Sequence, residues 1–470
     1  MLQRFRTSLP RAAGIRQAAS RLAIAVLLAG LGACSEAKTP EPPAEGGPPV
    51  TVIDGARLWD GTGAPAVDDA VLVIQGDRIL NAGPRSTVTV PAGAKTVDAK
   101  GKTVIPGLIN LHGHVGIVEG LDQNKTHYSK ESVRANLEQY GRYGVTTTFS
   151  LGLDTDPAVF GYHGVASADE PARPALFVAG RGFTGKNGYP AVLKGLGGVP
   201  VEVDSVDDVK AHIQELADQK ADVVKIWVDD HLGHYKKIRP ELSKAIIEEA
   251  HKQNLKVVAH VFYLADAKML VEAGIDGLAH SVRDREVDDA LIKMMKEMKT
   301  FSVSTLMREE GVVVYAEPPA FLDDVAFTQF ADPEVIKTLK DPAWGKKVKS
   351  DPDFAKLQPM FKVAEHNLKK LFDAGVKIGF GTDTGPPGRF HGYFEHLELE
   401  RMVQAGLTPE QVLKIATLGS AECMGLEKDF GSLEKGKRAD FIILDENPLE
   451  NIVNSRKINQ VWIGGRQVSR

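Results

Sequence analysis

Eight short apolar runs between residues 103 and 381 alternate with segments whose apolar residues recur at helical spacing. The runs cover 103–111, 146–151, 175–179, 223–228, 257–261, 277–280, 301–305 and 378–381, each about the length of a buried strand. Helical patterns at 132–143, 206–219, 240–253, 265–273 and 287–299 lie between most of them. Strands separated by helices pair in parallel, because each helix carries the chain back to the end where the strand began. Eight such units over roughly 300 residues predict an α/β fold of the (β/α)8 TIM-barrel type rather than an open sheet. The stretch 308–360, rich in Pro, Asp and Lys, breaks the rhythm. It is expected to form a long loop with helices of its own over the active face.

Both chain ends read differently. Residues 50–105 carry short apolar runs punctuated by Asp54-Gly55 and Gly76-Asp77, which are hairpin signals. A β unit of that size holds little core alone. The segment 431–470 returns to β character, with a turn through Lys435-Gly436-Lys437-Arg438 and an apolar run after it. The expectation is a small β-sandwich built from 50–105 and 431–470, with a barrel over 106–430 inserted between its parts.

Before residue 50 the chain reads as an export signal. Arg4, Arg6, Arg11, Arg16 and Arg21 precede a short apolar run, with no acid among the first 33 residues. That is a secretory leader, and the run is too short to span a bilayer comfortably. It ends in Leu31-Gly32-Ala33-Cys34, which is similar to a bacterial lipoprotein box, so lipidation at Cys34 and a periplasmic, membrane-anchored location are expected. Residues 34–49 then form a flexible tether. Removing the leader takes away five arginines and no acid, leaving 52 basic against 62 acidic residues. That balance gives no basis for nucleic-acid binding. With Cys34 and Cys423 the only cysteines, neither a disulfide framework nor a cysteine metal site is available.

Enzymes on such barrels place their chemistry at the carboxyl ends of the strands. Those positions here hold His112 and His114 after the first run, Lys225 near the end of the fourth, His260 after the fifth, His280 after the sixth and Asp383 after the eighth. His112 and His114, spaced i, i+2, lie on one face of an extended strand. Gly113 between them allows a close approach to the backbone. Four histidines and an aspartate at equivalent strand ends suit a divalent metal, with zinc favoured by a nitrogen and oxygen set and manganese, cobalt or iron also compatible. Lys225 sits in a uniformly apolar run, where an ammonium is costly and would repel metal ions. Carbon dioxide added to its amine would convert it to a carbamate, N6-carboxylysine, able to bridge two ions.

The motif Pro106-Gly107-Leu108-Ile109-Asn110-Leu111-His112-Gly113-His114 resembles the first-strand signature of the amidohydrolase superfamily, with Asn110 where aspartate is usual. Lys435-Gly436-Lys437-Arg438-Ala439-Asp440-Phe441 resembles its carboxy-terminal strand signature. The branch most resembled is the binuclear one that includes Xaa-Pro dipeptidases and imidazolonepropionase-like hydrolases. The resemblance implies that His112 and His114 hold the more buried ion with Asp383, that carbamylated Lys225 bridges, and that His260 and His280 hold the second. It also implies cleavage of amide bonds in dipeptides or N-acyl amino acids by a metal-bridging hydroxide, with Asp383 moving the proton. Cyclic amides, lactones, esters or carbamates are the alternative substrates, and an inactive binding protein on the same fold is the non-enzyme alternative. Deaminase relatives carry glutamate three residues after the fifth-strand histidine; Tyr263 stands there and is assigned to substrate contact instead. Arg389 and His391, close behind Asp383, are the other substrate-binding candidates, an arginine being suited to a carboxylate. His231, His234, Tyr235, Arg181 and Arg283 lie in βα loops, where they could bind substrate or stabilise the oxyanion; each taken alone reads as a solvated loop residue. A small molecule or peptide is the expected partner, and self-association is left open.

Overall fold

The computed structural model describes residues 48–155, 159–311 and 313–470. The leader, Cys34 and nearly all of the tether lie outside the described residues.

Eight parallel strands carry the centre of the fold: Leu108–Gly113, Val145–Ser150, Ala175–Val178, Val223–Val228, Lys256–Val261, Gly277–Ala279, Phe301–Val303 and Ile378–Gly379. Ladders join the first three to one another and the last five to one another. Backbone bonds link the two groups, from Asp222 N–H to Val178 O (2.9 Å) and from Leu111 N–H to Phe380 O (2.8 Å). Helices such as Val206–Asp218 and Pro240–Lys252 connect successive strands, giving an α/β fold of the TIM-barrel type. All six residues of Val223–Val228 are buried, Lys225 among five apolar neighbours. Each large aliphatic side chain so buried contributes about 1.5–3 kcal/mol. Helix Val206–Asp218 shows how locally its bounds are set. Ser205 Oγ accepts the Asp208 N–H and the Asp208 carboxylate accepts the Ser205 N–H, while Val209, Ile213 and Leu216 face the core.

Two short strands that the sequence did not suggest, Phe183–Gly185 and Val201–Val203, extend the second ladder. The run 103–111 is corrected outright, being two strands rather than one. Thr103–Pro106 pairs antiparallel with Phe441–Leu444, whereas Leu108–Gly113 pairs with Val145–Ser150. The switch falls at Gly107, whose N–H reaches Asp440 O; a Cβ there would lie 2.2 Å from Thr146 Oγ1. Through that pairing the two chain ends form one eight-stranded sheet. Strand Val50–Leu58 pairs with Lys95–Asp98 through its first half and Thr103–Pro106 through its second.

The segment after Phe301–Val303 has its own helices, Leu306–Gly311, Val325–Thr328, Pro333–Lys340 and Pro342–Lys349. Helix Phe354–Asp373 then runs straight through Pro359, so the inserted segment merges into a barrel helix earlier than expected. Among the described residues no helix is long and apolar enough to cross a membrane.

Candidate metal centre

The strand ends bring the six sequence-selected groups together in the interior. The register pairs Trp227 with His260 and His260 with Ala279, so His260 and His280 emerge side by side, rings 4.4 Å apart. His280 is 4.6 Å from His112, whose ring lies 5.4 Å from that of His114. Asp383 Oδ1 accepts from His114 Nε2 at 2.8 Å and lies 3.4 Å from His112 Nε2. Lys225 Nζ is 3.1 Å from the same His112 nitrogen. Gly113 leaves room for Tyr140, since a Cβ there would lie 2.2 Å from the Tyr140 hydroxyl. His280 and Asp383 both take left-handed backbone angles, φ +81° and +57°. For residues with a side chain that conformation costs of order 1–3 kcal/mol, and such strain collects at functional sites.

Burial dominates the electrostatics. It holds His112 and His280 well below the usual histidine range and His260 at about 3, with neighbouring positive charges adding to the effect. The rings are therefore neutral, with lone pairs available. Burial also lowers Lys225 to about 7, against the pull of Asp383. It works to raise Asp383, yet Arg389, His112 and His114 hold that carboxyl well below its ordinary value.

The donor set fits a divalent ion. Atoms of His112, His280 and Asp383 able to ligate lie within 4.8 Å of one another. His260 gives Nε2 to Asp229 (2.7 Å) and His280 gives Nδ1 to Thr305 (2.7 Å), leaving one nitrogen of each for an ion. A second-rank partner that fixes one ring nitrogen and frees the other is the usual support of a metal-binding histidine.

A model of the amidohydrolase family matches residues 103–468. The chain belongs to the amidohydrolase family. An ochratoxinase of Aspergillus niger is 29% identical over 278 residues, or 56% of this chain, and the chain spans only about half (49%) of that relative's length. An imidazolonepropionase of Shouchella clausii is 22% identical over 84% of the chain and 83% of its own length. Among solved structures, an Xaa-Pro dipeptidase with methionine bound in its active site superposes with a TM-score of 0.71 at 22% identity, covering 90% of this chain and 100% of its own.

The substrate-contact candidates divide. Arg389 Nη1 contacts Asp383 Oδ2 and lines the cavity over the centre. His391 is turned inward, its Nε2 on His114 O (2.8 Å), bracing the strand instead of facing that cavity. Tyr263 is not brought to the centre. It caps helix Leu264–Glu272, and its hydroxyl donates to Asp230 (2.8 Å) in a separate outer cleft under Lys237.

Several residues of this amidohydrolase escaped the sequence reading. Asp229 directly follows strand Val223–Val228, at the kind of position that selected the others, and carries His260. Burial works to raise its carboxyl, but the His260 bond and nearby positive charge keep it below the usual range. Arg283, read as solvated, has no exposure. Its Nη1 donates to Val261 O (2.8 Å) and Ser281 O (2.9 Å), the carbonyls that follow His260 and His280, so one guanidinium ties both histidine-bearing strand ends together. Glu309 pairs with Arg283 and also with Arg308, which stands 3.9 Å from Asp383. Glu395 and Glu398, on helix Tyr393–Gln404, are fully buried and carried no signal, because acids spaced i, i+3 on a helix usually mark its wet face.

Proposed function

We propose that this amidohydrolase cleaves amide bonds in dipeptides or N-acyl amino acids. The observation that carries the reading is the Asp383 carboxylate, one oxygen among neutral histidines and the other on Arg389. Asp383 would receive a proton beside the attacked carbonyl and hand it to a departing amine once Arg389, which holds it ionised here, turns to the substrate. His112, His114, His260, His280 and Asp383 would hold the ions, two in number and zinc by ligand chemistry, with Lys225 as the bridge. Ions so held would polarise the scissile carbonyl and acidify bound water toward neutral pH. Lys225, lowered to about 7, is largely the free amine at pH 8, the form that adds carbon dioxide to give a carbamate and a proton. The cavity over the centre has an apolar rim of Leu153, Leu193, Leu196 and Trp227, which excludes water and takes an apolar part of the substrate. Arg389 contacts the substrate beside Asp383.

Similarity to an ochratoxinase and to a dipeptidase solved with methionine in its active site supports this reading. A second reading, hydrolysis of a cyclic amide, draws on the imidazolonepropionase similarity; lactones, esters and carbamates belong with it. The same reading takes the eight βα units as a closed (β/α)8 barrel over 106–430, with a sandwich of 50–105 and 431–470. It places the protein in the periplasm, anchored through Cys34.

The test is product release by protein beginning at Cys34 and loaded with zinc and bicarbonate. Its substrates are dipeptides, N-acyl amino acids, cyclic amides, lactones and aryl esters. Amino acid release from dipeptides or N-acyl amino acids is expected. Turnover confined to cyclic amides, lactones or esters would replace the substrate assignment.

A further inference from the structure

Next to the metal centre, and separate from the cavity above it, lies a second cavity with an apolar wall. Leu232 contributes from the loop after Val223–Val228, Phe262 from the end of Lys256–Val261, and Phe354 and Leu357 from the inserted segment. Its polar side holds Arg283 and Arg308. Arg308 lines this cavity and its Nε lies 3.9 Å from Oδ2 of Asp383, which lines the other.

Both arginines depend on one closely paired carboxylate. Glu309 is the only carboxylate hydrogen-bonded or paired within 3.2 Å to either arginine among the described residues, and both share it: Arg283 Nε at 2.8 Å, Arg308 Nη1 at 2.9 and 3.1 Å. Arg283 is otherwise held by the Val261 and Ser281 carbonyls. For Arg308, neither Nε nor Nη2 makes a hydrogen bond among the described residues, although the side chain is only 7% exposed. The acids lining the cavity are occupied, Asp229 by His260 and Asp353 by His234 and Lys356, and Asp351 lies exposed at its lip. Two guanidinium nitrogens that reach the cavity without a hydrogen-bonding protein partner among the described residues are placed to receive an anion. Arg308 is also held in place. Glu398 accepts the N–H groups of Leu306 (2.8 Å) and Met307 (2.6 Å), fixing the start of helix Leu306–Gly311, which carries Arg308.

We propose that Arg308 binds a free carboxylate on the amine-side residue of the substrate, and that the cavity takes that residue's large apolar side chain. The proposal rests on the amide-hydrolase reading for the bond cleaved and adds what is recognised beside it. In an α-amino acid the carboxyl carbon lies about 2.5 Å from the nitrogen. A carboxylate on Arg308 therefore sets the departing nitrogen next to Asp383, the group that protonates it. Substrates ending in a bulky apolar acid such as phenylalanine or leucine are favoured over those ending in glycine or in a carboxamide.

The test compares 3-phenylpropanoate with 3-phenylpropanamide, by calorimetry on the metal-loaded protein and its variants. Wild type should bind the carboxylate at least about 30-fold more tightly, Arg308→Met should bring the two within about threefold, and Arg308→Lys should fall between. Leu357→Trp, which fills the cavity, should weaken 3-phenylpropanoate while leaving acetate unchanged. Metal content and circular dichroism show that each variant is folded and loaded. A preference kept in Arg308→Met, or absent from wild type, overturns the proposal, the wild-type comparison deciding alone if the variants fail to fold. If wild type prefers the carboxylate through Arg308 yet cleaves no N-acyl amino acid or dipeptide, the carboxylate site stands and the amide-hydrolase reading falls.

Discussion

Replacing Asn110 by aspartate would set a second carboxyl against a buried one. Asn110 Nδ2 donates to Glu395 Oε1 at 2.9 Å, while its Oδ1 accepts the His112 N–H, and neither side chain has any exposure. Burial pushes Glu395 up to about 7, against hydrogen bonds from Thr382, Thr384 and Gly392. Two unit charges 2.9 Å apart repel by about 6 kcal/mol at an effective dielectric of 20, equivalent to about four pH units. In Asn110→Asp the pair therefore keeps one proton from about pH 7 to pH 11, where the unfolded chain keeps none. Carboxyls whose folded pKa is raised contribute stability that is present at low pH and lost as pH rises, at about 1.4 kcal/mol per unit for each proton retained. Wild type has released the Glu395 proton above about 7, so the deficit of the variant should widen by about 3 kcal/mol between pH 7 and pH 9. Thermal melting of chelator-treated wild type and variant from pH 5 to 9 reads this directly. The melting curves should lie close at pH 5 and diverge above pH 7. Asn110→Asp/Glu395→Gln carries a single carboxyl and should lose the divergence. Melting temperatures that stay parallel across the range would refute the placement of Glu395 against Asn110.

Further outcomes follow from the same geometry. Asp383→Asn should cut turnover at least about 10²-fold while circular dichroism stays unchanged, and full activity would remove Asp383 from proton transfer. In wild type, bicarbonate should raise the metal bound per chain, whereas Lys225→Met should bind less metal and ignore bicarbonate. Equal metal content by elemental analysis in the two proteins would rule out a carbamate bridge. Arg283→Met should weaken metal binding about 10–100-fold in competition with a chelator, because the Val261 and Ser281 carbonyls lose their common donor. Unchanged affinity would mean that the strand ends hold their own spacing.

The substitution of Asn110 also shows what a motif conceals. Read alone, the amide is a departure from a family signature; in the fold it supplies the donor that a buried glutamate 285 positions away requires. Tyr263 fails the other way. Its offset from His260 places it in the right motif position, but the chain turns into a helix there and the ring swings toward Asp230.

Local pattern was enough for strand Val223–Val228, read with its observed bounds, since five apolar residues around one lysine leave no wet face to show. The histidines, Lys225 and Asp383 were legible for a related reason: a parallel sheet that closes toward itself brings all its carboxyl ends to one place, so position along each strand predicts meeting in space. Sequence by itself therefore determined the βα alternation, the strand ends and the donor types placed there. Tertiary structure decided which strand paired with which, splitting 103–111 at Gly107 because its two halves find partners at Phe441–Leu444 and at Val145–Ser150. It also decided the support of the centre: Asp229 on His260, Arg283 across two strands, and Glu398 holding the helix that carries Arg308. Apolar periodicity records only whether a residue is buried. A buried charge is specified by the partner it meets, and here those partners lie up to 285 residues apart on other elements.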